Sequence, residues 1–213
     1  MRITPEITAR RIIEYLQAMD QEADTKTTKG TPTGLHWYGG HVRPDQQRPQ
    51  TEPHWSKHIA ERLAADGLQA AAEVAYREKP GNRCDVVVTS GDETFWIEIK
   101  GAWKEYCHRT GTTGNYNSYL LHPLVPGLDA TKGHTAALDI QKVAEATTAT
   151  WIGFLLVGFD SDERPMDEDV MRLARLAGID RLPWYCITSG WPDPYRPGER
   201  VRCWFWFRQS DTS

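Results

Sequence analysis

The chain has 213 residues, 39% of them hydrophobic and 25% charged, with a formal net charge of −4. This length fits one medium domain with decorations and is ample for a hydrophobic core. The acidic balance argues against a protein that passively coats nucleic acid, yet it leaves room for an enzyme with a local basic patch and acidic metal ligands.

Thr4-Pro5-Glu6 reads as a helix start, with Ile7, Ile13, Leu16 and Met19 as its apolar side up to about Asp20. Residues 21–53 are polar and rich in Thr, Gly, Pro and Gln, and are expected to form a long loop. His36, Trp37, Tyr38, His41, Arg43 and Arg48 in that loop are candidates for an arm over a substrate. A second helix is predicted from about 55 to 66, with Trp55, Ile59 and Leu63 as its buried stripe, Glu61 at its flank and Gly67 ending it. Three strands follow at about 70–77, 83–89 and 94–100, with Pro80-Gly81 and Ser90-Gly91-Asp92 as turns. A Gly-, Thr- and Asn-rich loop over 101–133 is long enough to be a functional candidate. Helices are then expected within 134–147 and 166–177, and strands over 151–159, 184–188 and 201–207. The late segment "RVRCWFWFR" has aromatics on both faces, as a strand buried on both sides or an oligomer contact would, and core is the favoured reading. Organisation is read as an extension over 1–53 and a main domain over 54–213, its core about 55–159.

The four cysteines, Cys84, Cys107, Cys186 and Cys203, lack C-x-x-C spacing and are expected to be reduced thiols of a cytoplasmic protein. The start "MRITPEITARR" shows no apolar signal segment, and no stretch approaches the ~20 apolar residues of a membrane span.

The chemistry concentrates in the middle. In "FWIEIKGAW", alternation along a strand puts Glu98 and Lys100 on one face and Ile97 and Ile99 on the other. Alone, such an E-x-K is an ion pair of little worth. However, Asp85 in "RCDVVV" lies one hairpin earlier, and a tight turn at Ser90-Gly91-Asp92 brings it near the Glu98–Lys100 end. Two carboxylates brought together repel unless a cation lies between them, and hard oxygen ligands point to Mg²⁺, with Mn²⁺ as a substitute. Lys100 would orient or help deprotonate a water, or stabilise charge on a phosphate.

Glu61, Arg83-Cys84-Asp85 and Glu98-Ile99-Lys100 together resemble the PD-(D/E)XK nuclease superfamily over about half of the chain. The resemblance implies an α/β, restriction-endonuclease-like fold with an αβββαβ core, a mixed central sheet flanked by helices and extra C-terminal strands. It implies that Asp85, Glu98 and the Ile99 carbonyl hold the metal and that Lys100 is catalytic. Cys84 stands where the family has proline. A third acid from the preceding helix would be Glu61, with Glu73 as its rival. From the helix after the third strand, Gln141 and Lys142 are candidates to reach the site, and Asp139 a weaker one. Trp103, Lys104, His108 and Arg109 are candidates to hold substrate, and Asn115 or Asn117 to read base edges. The expected function is a Mg²⁺-dependent DNA endonuclease of restriction or anti-phage defence, with DNA and a second copy of the chain as partners. The alternatives are a nuclease for RNA or branched DNA, and a non-catalytic DNA-binding or structural subunit of the same fold.

Overall fold

The computed structural model describes residues 3–22, 35, 52–79, 81–103, 105–107, 113–115, 136–146, 148–194 and 197–211. Helix α1 spans Pro5–Gln21, with proline in its first turn where no backbone partner is lost. Its buried stripe runs through Ala9, Ile12, Ile13, Leu16 and Met19, whereas Ile7, expected on that stripe, is 53% exposed. Ile7 lies off the i, i+3, i+4 row that the other apolar residues define. Helix α2 covers Glu52–Ala65 and starts earlier than expected, taking Pro53 into its first turn.

Strands β1 (Gln69–Ala75), β2 (Arg83–Ser90) and β3 (Glu93–Trp103) follow. Gly91 turns the β2–β3 hairpin with φ of 60°, which a glycine adopts without steric cost. β3 does not end at Lys100. It runs on to Trp103 because Gly101 and Ala102 stay in a parallel ladder that ends at Trp103↔Phe159. Part of the expected 101–133 loop is also a small two-stranded sheet, β4 (Glu105–Cys107) with β5 (Thr113–Asn115). Helix α3 (Ala136–Ala144), strand β6 (Trp151–Ser161), helix α4 (Asp167–Ala177), and strands β7 (Tyr185–Pro192) and β8 (Glu199–Gln209) follow among the described residues.

The main sheet has six strands in the order β1-β2-β3-β6-β8-β7. Only β3 and β6 run parallel; the other neighbours are antiparallel. A parallel pair needs a crossover, and the segment between β3 and β6 contains α3. The fold is therefore α/β, with a mixed six-stranded sheet flanked by helices.

Alternation divides the core. Phe95, Ile97 and Ile99 of β3 join Leu155, Phe205 and the stripes of α1 and α2 on one face. On the other face, Phe154, Leu156, Trp204 and Trp206 pack with Ala136, Ala137 and Ile140 of α3 and Val170 and Leu173 of α4. β8 thus contributes aromatics to both faces, as its sequence predicted. No helix among the described residues is long and apolar enough to cross a membrane.

Two glycines on β6 let the aromatic layers close. A Cβ on Gly153 would come within 2.8 Å of both the Phe95 and Phe205 rings, which stack with centroids 6.0 Å apart. Gly153→Ala should therefore cost about 1–3 kcal/mol of stability through overpacking, measurable by urea denaturation. Unchanged stability would mean that those rings shift freely.

Candidate functional site

β2 and β3 pair from Ser90↔Glu93 to Val86↔Ile97, and the next row in register would set Asp85 opposite Glu98. The ladder stops at that row. On the other edge of β2, pairing with β1 holds at Ala72↔Val86 and Val74↔Cys84, and the row of Glu73 and Asp85 is passed over. Glu73 has φ of 56°, a left-handed conformation uncommon for a residue with a side chain. Its carbonyl accepts a hydrogen bond from Arg83 Nη1 at 2.8 Å. The sheet is irregular at this one row, and the row carries three acids, Glu73, Asp85 and Glu98.

Side chains take up bonds where the ladder fails. Asp85 Oδ2 accepts the Ile99 N–H at 2.6 Å. The Cys84 thiol lies 3.3 Å from the Ile97 carbonyl and 3.5 Å from that of Val86. A proline at position 84 would offer no such donor. The N–H and C=O of one strand residue point to the same side, so the Ile99 carbonyl also faces the side from which β2 has departed.

Glu98 and Lys100 point to the α3 face and are buried, at 1% and 4% exposure. Helix α3 meets them with Asp139 and Lys142, which are neighbours at i, i+3 spacing. Lys100 Nζ lies 3.2 Å from Asp139 Oδ2. Lys142 Nζ lies 3.1 Å from Asp139 Oδ1 and 2.8 Å from Glu98 Oε2. The other oxygen of Glu98 accepts the Tyr76 hydroxyl at 2.5 Å. Lys142 also lies over the Tyr76 ring, 5.9 Å from its centroid. Asp85, Glu98 and Asp139 against Lys100 and Lys142 leave one negative charge in excess when all are ionised.

That excess adds to the effect of burial at Glu98. Burial, then the carboxylate of Asp85, pushes its pKa up to about 9, against the opposing pull of Lys142. Burial pulls the Lys142 ammonium down, but Asp139 and Glu98 outweigh it and hold it above the ordinary lysine value. Burial above all, and then its charged neighbours, holds the Tyr76 hydroxyl and the Cys84 thiol protonated.

The network opens on one side. A cleft of about 600 Å³ lies between the β1–β2 connection, with Lys79, Asn82 and Arg83, and α3, with Asp139, Lys142 and Glu145; Glu73 also lines it. The cleft mixes charges: Lys79 pairs with Glu145 at 2.7 Å.

The sequence candidates are sorted by this geometry. Asp85, Glu98 and Lys100 come together at the broken row. Glu61 sits on α2, whose stripe packs on the opposite, Ile97–Ile99 face; its side chain is 64% exposed and pairs with Lys57 at 3.8 Å. Of the two rival acids, Glu73 lies nearer Asp85 in register. On α3 Lys142 reaches Glu98, while Gln141 and Asp139 exchange places: Gln141 is exposed and bonds to Glu145, and Asp139 is buried against both lysines. The reason is helical phase. Asp139 shares the i, i+3, i+4, i+7 row of Ala136, Ile140 and Val143, and that row is visible in the sequence. Tyr76 was missed, since a lone strand tyrosine carries no signal beyond core packing. Lys104, His108, Arg109, Asn117 and the aromatic arm of residues 36–48 lie outside the described residues, as does the side chain of Trp103. Asn115 is in β5. Among the described residues, no group of three or more His, Cys, Asp or Glu stands arranged to hold a metal ion.

Glu98 binds a proton more tightly folded than unfolded. The associated stability is complete below about 4.5 and is lost as pH rises through about 9. In metal-free buffer the melting temperature of the wild type should fall between pH 5 and pH 9. Glu98→Gln, which still accepts the Tyr76 hydroxyl but cannot ionise, should flatten that fall by on the order of 5 °C at the alkaline end. Parallel wild-type and variant profiles in calorimetry would refute a buried, proton-binding Glu98.

No protein-family model, curated protein or solved structure matches this chain.

Proposed function

We propose that the chain is a metal-dependent nuclease that hydrolyses phosphodiester bonds in DNA, with a restriction-endonuclease-like core. The observation that carries this reading is the broken row, where β2 leaves β3 and the Asp85 carboxylate takes the Ile99 amide between Glu98 and Lys100. The αβββαβ order with a parallel β3–β6 pair is consistent with it.

The donor set fits a hard divalent cation in charge and kind. Asp85 and Glu98 offer carboxylate oxygens, and the Ile99 carbonyl faces the side from which β2 has departed. Mg²⁺ or Mn²⁺ held there would supply an acidified water and neutralise charge on the phosphate. The protein's own groups do the remaining work. Asp139 pairs with the Lys100 ammonium at 3.2 Å on this face. Lys142, on the cleft wall, offers a cation to phosphate oxygens, and Arg83 and Asn82 line the approach. Restriction or anti-phage defence is the setting proposed by analogy of fold, and pairing with a second copy would serve cleavage of both strands.

A non-catalytic member of the same fold is the second reading. It is favoured by the burial of Glu98 and Lys100 within a network of ion pairs. One experiment separates the two. Wild type, Asp85→Asn and Lys100→Ala are incubated with supercoiled, linear and single-stranded DNA and with RNA, with Mg²⁺, Mn²⁺ or EDTA. Metal-dependent cleavage of DNA that drops about 100-fold or more in both variants is expected. Cleavage that survives EDTA or Lys100→Ala sinks the mechanism, and RNA as the preferred substrate replaces DNA in the proposal.

A further inference from the structure

The ammonium of Lys142 stands where a cation is wanted. It lies 2.8 Å from a carboxylate oxygen of a β3 residue, Glu98, and 3.1 Å from one on α3, Asp139. Two oxygens on different elements converge on one positive charge, as they would on a metal ion. Without that charge, three carboxylates would face one ammonium in a largely buried site, a costly arrangement in a low-dielectric interior.

The two lysines of the network differ in their freedom. Lys100 is 5% exposed and extends from the central strand β3 beneath α3. Lys142 is 21% exposed and lines the cleft of about 600 Å³. Its four-carbon stem can rotate outward without disturbing the packed core. Lys142 is therefore the cation that can leave.

Resting on the metal-dependent reading of this site, we propose that Lys142 is a built-in competitor of the divalent metal. Its ammonium holds Glu98 and Asp139 while the acids are metal-free, and it yields Glu98 by swinging into the cleft when a metal binds. There it meets the phosphates of an incoming strand. Metal loading and substrate binding are thereby coupled: a phosphate that holds Lys142 in the cleft leaves Glu98 open to metal, and a bound metal keeps Lys142 available to phosphate.

The test is direct metal binding. Metal-free wild type, Lys142→Met, Lys142→Gln and Lys142→Arg are titrated with Mn²⁺ by calorimetry and by electron paramagnetic resonance. Circular dichroism checks that each variant is folded. Lys142→Met and Lys142→Gln should bind Mn²⁺ about tenfold or more tightly than wild type, and Lys142→Arg, which keeps the charge, should not. Glu98→Gln should abolish the gain. Equal or weaker Mn²⁺ binding by a folded Lys142→Met or Lys142→Gln, or no Mn²⁺ binding by either, overturns the proposal. Its fate is separable from that of the nuclease reading. Tighter Mn²⁺ binding with no cleavage of any nucleic acid leaves the competition standing and removes the nuclease. Metal-dependent cleavage with unchanged Mn²⁺ affinity does the reverse.

Discussion

A carboxylate in the interior of the sheet governs this structure. Glu98 lies on β3, inside a six-stranded sheet, with 1% of its surface exposed. A charge in that position is intolerable without partners. The partners come from two directions, the Tyr76 hydroxyl just past β1 and the Lys142 ammonium on α3, while Asp85 on β2 opposes the charge. Each element brings apolar contacts too, since Tyr76, Cys84, Val87, Trp96 and Val143 form one cluster beside the charges. The polar network and the apolar cluster specify the same arrangement. Sliding α3 by one residue would remove Val143 from the cluster and both Asp139 and Lys142 from their partners.

The broken row at Glu73, Asp85 and Glu98 follows from the same constraint. A continuous ladder would hold Asp85 and Glu98 side by side as a cross-strand pair of like charges, which is destabilising. Separating β2 from β3 relieves this, and the Asp85 carboxylate takes the Ile99 amide that the ladder would have used. A ligand that prefers oxygens, or a proton, is then attracted to the place where the strands part. The sheet gives up regularity where chemistry is proposed and is most regular elsewhere, as in the eleven-residue β6–β8 pairing from Trp151↔Gln209 to Ser161↔Glu199.

Much of this was legible from local pattern. The period of two in "FWIEIK", the turn at Gly91 and the position of Asp85 one hairpin earlier were enough to bring Asp85 to Glu98. The stripe of Ala136, Asp139, Ile140 and Val143 also held the information that Asp139 faces inward, though a lone acid at such a position invites the solvent-exposed reading. Other features had no local signal. Glu61 sits one turn from apolar residues much as Asp139 does, yet its helix lies on the other face of the sheet. The continuation of β3 through Gly101 and Ala102 depends on the parallel partner β6, about 55 residues later in the chain. Tyr76 becomes a site residue only because its hydroxyl reaches past β2 to Glu98 on β3.

The sequence by itself determined the order of the main helices and strands, the two faces of β3, and the nearness of Asp85 to the Glu98–Lys100 end of β3, because these depend on periodicity and on a turn of a few residues. Only the tertiary structure decided which helix covers the charged face and which of two lysines holds the glutamate. It also decided which acids are buried and where the cleft opens. Those outcomes depend on the crossover between β3 and β6 and on the desolvation of charges by distant segments, neither of which is encoded in a local window.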